Sequence, residues 1–123
     1  MHVLAIDDSR TIRQMVKLTL EREGIETTLA EDGVHGLEIL QGLEPKPDAI
    51  LTDVNMPRLD GFGVIEAVRR REGFAGMPII VLTTECAKEL KQRAREAGAT
   101  GWIVKPFDPA RLVVALRTVT GLR

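Results

Sequence analysis

Three carboxylates, a hydroxyl and a lysine sit where apolar runs of the chain stop. Asp7 and Asp8 follow Val3–Ile6, and Asp53 closes the run begun by Ala49-Ile50-Leu51. Thr83 follows Ile79–Leu82, and Lys105 follows Trp102–Val104. Carboxylates gathered at one place repel: two unit charges about 4 Å apart cost roughly 4 kcal/mol at an effective dielectric near 20. Such a cluster calls for a divalent cation. Oxygen-only donors with no His or Cys nearby favour Mg²⁺, which binds through one or two carboxylates and keeps waters for a phosphate. A hydroxyl and an ammonium converging on the same place would neutralise the oxygens of a phosphoryl group. Asp53 then reads as the nucleophile that receives it, since carboxylates form aspartyl phosphates. A carboxylate is ionised at neutral pH and needs no base.

Each residue alone has a plainer use. Asp7 or Asp8 could serve a loop or a cap, Thr83 could cap the following helix, and Lys105 could simply be solvated. Met56-Pro57 and Asp60-Gly61 could be ordinary turn chemistry. The joint pattern, acid, hydroxyl and lysine at four run ends, favours a site.

That site requires elements that bring the run ends together. Val3–Ile6, Ile25–Ala30, Ala49–Leu51, Ile79–Leu82 and Trp102–Val104 are apolar enough for strands covered on both faces, as in a parallel sheet. Helical spacing separates them. Ile12, Met15, Val16 and Leu20 follow Ser9 as N-cap, and Val34, Leu37 and Leu40 mark a second helix. Ile65 and Val68 mark a third, and Leu90, Ala94 and Ala97 a fourth, ended by Gly98. Leu112, Leu116 and Val119 mark a fifth, with Asp108 as cap and Pro109 at its first position. Strand–helix alternation with short links predicts a doubly wound α/β fold, whose ligands bind beyond the carboxyl ends of the strands.

Bulk properties agree with this. The chain has 123 residues, 44% hydrophobic and 28% charged, which fits one globular domain spanning residues 1–123. Seventeen basic against eighteen acidic side chains leave a net charge of −1, with no global pull toward nucleic acid or membrane. A single cysteine, Cys86, makes no internal disulfide and suits a reducing compartment. Strand-like sequence begins at His2, leaving no room for a signal peptide, and no apolar run reaches transmembrane length. The expectation is a cytoplasmic protein.

Four stretches, IDDSR at 6–10, LTDVNMPRLDGFG at 51–63, IIVLTTE at 79–85 and GWIVKPFD at 101–108, resemble the receiver domain of two-component response regulators along the whole chain. The resemblance implies a flavodoxin-like (βα)5 sheet of strand order 2-1-3-4-5. It implies that Asp53 is the phosphoacceptor and Asp8 the direct Mg²⁺ ligand, with Asp7 acting through water and Asn55 offering its backbone carbonyl. Lys105 resembles the lysine that contacts the phosphoryl group, ahead of a cis peptide to Pro106. Thr83 resembles the switch hydroxyl. Trp102 stands at the rotating aromatic, where Tyr, Phe or His is usual, and Thr84 replaces a small residue.

Implied partners are a histidine kinase as donor and a protein target on the face of helix 4, strand 5 and helix 5. Within the family the stand-alone chemotaxis receivers that bind the flagellar motor switch are the preferred comparison. Asn55 and Glu85 match residues placed beside the acyl phosphate there, which implies a short-lived mark. A phosphorelay intermediate or phosphate sink would carry the same site. A Mg²⁺-dependent aspartyl phosphatase of another class would want a second Asp two residues after the nucleophile, where this chain has Asn55. An FMN carrier would want a Ser/Thr/Gly-rich loop where IDDSR stands.

Other residues fit less specific roles. Arg69-Arg70-Arg71 reads as a solvated helix end. Lys88, Lys91, Arg93 and Arg95 place positive charge on the fourth helix, for solvation or for a partner. Val113 and Val114 widen the apolar stripe of the fifth, so one of them is a candidate for exposure. Cys86, His2 and His35 show no spacing for metal or catalysis.

Overall fold

A computed structural model describes residues 1–122. Strands β1 (His2–Ile6), β2 (Glu26–Ala30), β3 (Ala49–Thr52), β4 (Ile79–Thr83) and β5 (Gly101–Val104) alternate with helices α1 (Arg10–Glu21), α2 (Gly33–Gly42), α3 (Gly61–Arg70), α4 (Lys88–Ala97) and α5 (Pro109–Thr120). All strand pairs are parallel, in the order β2-β1-β3-β4-β5. This is the doubly wound flavodoxin-like α/β fold that the sequence predicts. The order reverses beside β1, so the loops after β1 and β3 flank a crevice at the carboxyl edge.

Alternating side chains of the inner strands feed two cores. Leu4, Ile6, Ile50, Ile79 and Val81 pack against α2, α3 and α4, and Val3, Ala5, Ala49, Leu51, Ile80 and Leu82 pack against α1 and α5. Burying each Val, Leu or Ile side chain among them stabilises the fold by about 1.5–3 kcal/mol. Only β1, β3 and β4 are covered on both faces as expected; the edge strands β2 and β5 are partly exposed, because each lacks a neighbour and a full helix cover on one side. Met15 departs from its predicted core position and is exposed on α1, where Val16 and Leu20 are buried and Ile12 packs against the core.

Most predicted caps are present. Ser9 and Asp108 accept backbone N–H bonds at the starts of α1 and α5, Gly98 ends α4 with φ 111°, and Asp60, which the sequence offered only as a turn residue, caps α3. Thr83 does not cap α4. It ends β4 fully buried, and the N-cap position of α4 is Ala87, which offers no side-chain cap.

Arg69 also departs from its solvated reading. Its Nε and one terminal nitrogen donate to Gly98 O at 3.0 and 2.7 Å, and the other terminal nitrogen donates to Phe74 O at 3.0 Å. The C-terminal end of α4 is thereby tied to α3, where burial lowers the Arg69 pKa. Arg71 and Arg93 lie over the rings of Phe74 and Phe62 at 4.8 and 4.1 Å, so neither is purely solvated.

Gly61 secures the start of α3 against the strand end that carries Asp53. A Cβ there would collide with the Asp53 carbonyl oxygen and lie 2.9 Å from Val54 Cα. Both obstacles are backbone, so neither can swing aside. Gly61→Ala is expected to cost about 1–3 kcal/mol, the usual range for overpacking. Urea unfolding checks this; an unchanged midpoint would show that the loop yields freely.

Candidate functional site

The carboxyl edge of the sheet gathers the predicted residues. Asp7 and Asp8 follow β1, Asp53 follows β3, Thr83 ends β4 and Lys105 follows β5. One carboxylate oxygen from each of Asp7, Asp8 and Asp53 can be chosen so that all three lie within 4.8 Å of one another. Asp7 and Asp53 are buried and Asp8 is exposed.

Lys105 neutralises part of this charge from within. Its Nζ donates to Asp7 Oδ2 at 2.6 Å and to Asp53 Oδ2 at 3.1 Å, and its side chain is only 7% exposed. The backbone that aims it is set by the Lys105 N–H, which donates to Thr83 O at 2.7 Å, and the Lys105–Pro106 peptide is cis, as expected. Burial alone would lower the Lys105 pKa. The hydrogen bond to Asp7 and the charges of Asp7 and Asp53 outweigh it and raise the value. For Asp7 burial dominates and raises the pKa, against Lys105 and the Ser9 N–H, which favour the carboxylate.

Asp7 has both oxygens engaged, Oδ1 by the Ser9 N–H at 2.9 Å and Oδ2 by Lys105. Arg13, which sequence reasoning passed over, donates to the Asp7 carbonyl at 2.8 Å and steadies the turn into α1. Asp53 Oδ1 accepts the Val54 N–H at 2.7 Å, leaving Oδ2 toward Lys105. Asp8 is the freest donor of the three. An oxygen-only set at this spacing, with one exposed carboxylate, suits a hard divalent cation.

The opposite wall comes from the β3–α3 and β4–α4 loops. Asn55 Nδ2 donates to Glu85 Oε1 at 2.9 Å, and the Trp102 indole N–H donates to Glu85 O at 3.1 Å. Glu85 thus links the loop beside Asp53 to the aromatic on β5. Trp102 is half-buried and packs against the core on the α4 side. Thr83 Oγ accepts the Glu85 N–H at 3.3 Å, and Thr84 is exposed at the rim. His2 and His35 have structural partners, Thr28 Oγ1 at 2.7 Å and the Glu31 N–H at 3.1 Å, and Cys86 is a free exposed thiol.

Beyond the site, a groove of about 100 Å³ runs between α4 and β5, lined by Lys91, Arg95, Thr100 and Trp102 among others. Of the two adjacent valines on α5, Val113 is buried and Val114 is 62% exposed. Among the described residues no helix is long and apolar enough to cross a membrane.

Comparison with known proteins places this geometry in context. The response regulator receiver domain family matches residues 3–117. The chain is 39% identical to chemotaxis protein CheY1 of Helicobacter pylori over 98% of each chain. It is 37% identical to the sensor histidine kinase CheAY of the same organism, over 94% of this chain but only 14% of that protein. The solved chemotaxis protein CheY4 of Vibrio cholerae superposes with a TM-score of 0.90 at 46% identity, covering 96% of this chain and 97% of that one. The receiver domain of the sensor histidine kinase PA1611 from Pseudomonas aeruginosa, solved with a magnesium ion in its active site cleft, gives 0.85 at 28% identity, covering 98% and 97%.

Proposed function

The chain belongs to the response regulator receiver family, and from that premise we propose that it is a cytoplasmic phosphoacceptor of a chemotaxis pathway. The observation that carries this reading is the Lys105 ammonium held at 2.6 Å from Asp7 and 3.1 Å from Asp53, inside a cluster of three carboxylates.

Asp53 Oδ attacks the phosphorus of a kinase phosphohistidine. The new O–P bond forms as the P–N bond breaks, and the electron pair leaves with the imidazole nitrogen, which takes a proton from solvent. Asp8, Asp53 and the Asn55 carbonyl would hold a Mg²⁺ ion, with Asp7 acting through water, and the ion would supply charge neutralisation for the phosphoryl oxygens. Lys105 exchanges part of its contact with Asp53 for a phosphoryl oxygen, and the Thr83 hydroxyl donates to another. The chain would catalyse only its own phosphorylation and dephosphorylation.

The target surface in this reading is α4, β5 and α5. Lys88, Lys91 and Arg95 line it with positive charge, the groove beside Trp102 gives it relief, and Val114 gives it an apolar point. A component of the flagellar motor switch is the proposed occupant.

Incubation with acetyl phosphate should add one phosphoryl group by intact mass, and excess chelator should prevent it. A yield indifferent to chelation would overturn the metal assignment. Phosphotransfer from a purified chemotaxis kinase, and tighter binding of a motor-switch fragment afterwards, test the pathway. A product that passes its phosphoryl group to a histidine phosphotransfer protein instead would make the chain a relay intermediate.

Trp102 supplies an optical test of the switch. The chain has one Trp and no Tyr, so its long-wavelength emission reports this residue alone. In this reading Thr83 moves toward the phosphoryl group and opens space that the indole fills. Mg²⁺ with beryllofluoride, a phosphoryl mimic, should shift the emission to shorter wavelength and reduce iodide quenching. The indole is already half-buried and bonded to Glu85 O, so a modest shift is expected. An unchanged spectrum while target affinity still rises would make Trp102 a static wall.

A further inference from the structure

The far end of the β3–α3 loop is held by a contact that the proposed chemistry leaves unused. Arg58 has a φ of 68°, and across it the Leu59 N–H donates to Pro57 O at 2.8 Å. That is the hydrogen bond of a γ-turn, centred on a residue with a Cβ in the left-handed region, a strained arrangement of the kind that gathers at functional sites. The Arg58 guanidinium grips Asp32 through two bonds, Nε to Oδ2 at 2.8 Å and a terminal nitrogen to Oδ1 at 3.0 Å. Asp32 is 5% exposed, and its Oδ1 also accepts the His35 N–H at 2.8 Å as the cap of α2.

The neighbouring residues interlock as well. A Cβ on Gly33 would collide with the Leu59 carbonyl oxygen and lie 2.8 Å from Leu59 Cβ. Arg58 and Leu59 therefore dock on Asp32 and Gly33, in the loop after β2. This anchor lies across the site from Thr83 and Lys105, given the strand order. Along the loop, Asn55 lies between Asp53 and Arg58. A bidentate guanidinium–carboxylate pair fixes orientation as well as distance, so it can hold a strained loop in one shape.

We propose that the Arg58–Asp32 pair is a positioning device, holding the β3–α3 loop and the Asn55 carbonyl in the cation-accepting arrangement before the cation arrives. This rests on reading the acidic cluster as a Mg²⁺ site. Preorganisation of this kind appears as affinity, because the ordering cost is met during folding and not on binding.

The test follows amide chemical shifts of Val54 and Asn55 during MgCl₂ titration. Arg58→Gly adopts a positive φ without strain and removes the pair. Asp32→Asn keeps an acceptor for the α2 cap and removes the charge. Each is expected to raise the Mg²⁺ dissociation constant about tenfold, the low end for loss of an outer-shell partner. The double variant should bind no more weakly than either single one, because the two act as a unit. Melting temperatures separate this from a merely structural clamp. Variants that melt earlier yet bind Mg²⁺ as the wild type does would overturn the proposal and leave the metal reading standing. A wild type whose shifts do not respond to MgCl₂, in common with Asp8→Ala, would overturn both.

Discussion

Asp53→Ala is expected to abolish phosphoryl incorporation completely while leaving the fold intact. No other carboxylate can replace it. Asp7 is the less accessible of the two buried carboxylates, its side chain 7% exposed against 12% for Asp53 and its Lys105 contact shorter, 2.6 against 3.1 Å, and Asp8 is exposed at the rim, away from direct contact with Lys105. The fold has little to lose, because Lys105 keeps its shorter bond to Asp7 at 2.6 Å and one carboxylate leaves a crowded acidic cluster. The melting temperature without metal should therefore hold or rise. Intact mass after acetyl phosphate treatment checks the first part, and thermal melts in chelator check the second. A persisting mass increase would move the acceptor elsewhere. A sharp fall in melting temperature would make Asp53 structural.

Lys105→Met is expected to have the largest effect on stability. The substitution leaves Asp7 and Asp53 buried without their internal cation, the kind of loss that costs about 3–5 kcal/mol. For a chain of this size that corresponds to a melting temperature lower by roughly 10–20 °C. Two further signatures identify the cause. Added Mg²⁺ should raise the melting temperature of the variant more steeply than that of the wild type, because the ion replaces the missing charge. Lower pH should also help the variant more.

The sign follows from Asp7. Its folded pKa is already raised by burial despite Lys105, and removing the ammonium raises it further. The folded state then binds a proton more readily than the unfolded one, so stability grows as pH falls from the raised value toward the ordinary carboxylate value of 3.8. Lys105 itself contributes in the opposite range. Its raised pKa means that its stabilisation is complete below the ordinary lysine value of 10.5 and is lost as pH climbs through the folded value. A variant as stable as the wild type in chelator at neutral pH would show that Asp7 and Asp53 need no internal partner.

A separate acid-range effect belongs to Asp32. Its pKa is lowered, first by the Arg58 hydrogen bonds and then by the His35 N–H. The stability it contributes is fully present above the ordinary value of 3.8 and is lost as pH falls through the depressed folded value. Wild type and Arg58→Gly should therefore converge in stability at the acid end.

Much of the site was legible from residue order because a parallel sheet converts sequence into position. Once five apolar runs alternate with five helical ones, every run must end at the same edge, and Asp7, Asp8, Asp53, Thr83 and Lys105 must meet there. Local chemistry was equally readable where it depends on near neighbours, as in the Ser9 and Asp108 caps, the Pro109 start and the Gly98 stop. Periodicity was weaker at the periphery. It placed Met15 inside with Val16, because a stripe two residues wide has no sharp border, and it missed that the edge strands β2 and β5 lie partly open.

What only the tertiary structure decided are the contacts between residues far apart in the chain, which no local pattern encodes. The ammonium of Lys105 could have pointed to solvent; burial beside two carboxylates that need a cation turned it inward. Arg69 reads as one of three exposed arginines until α4 brings Gly98 O within 2.7 Å, where an unpaired carbonyl can take a fixed guanidinium. Arg58 and Asp32 are 26 positions apart and meet only because β1 separates β2 from β3 and brings their loops to a common edge. Propensity and periodicity act over a few residues and so determine elements and their ends. Distant ion pairs form only where the folded chain brings both partners to the same place.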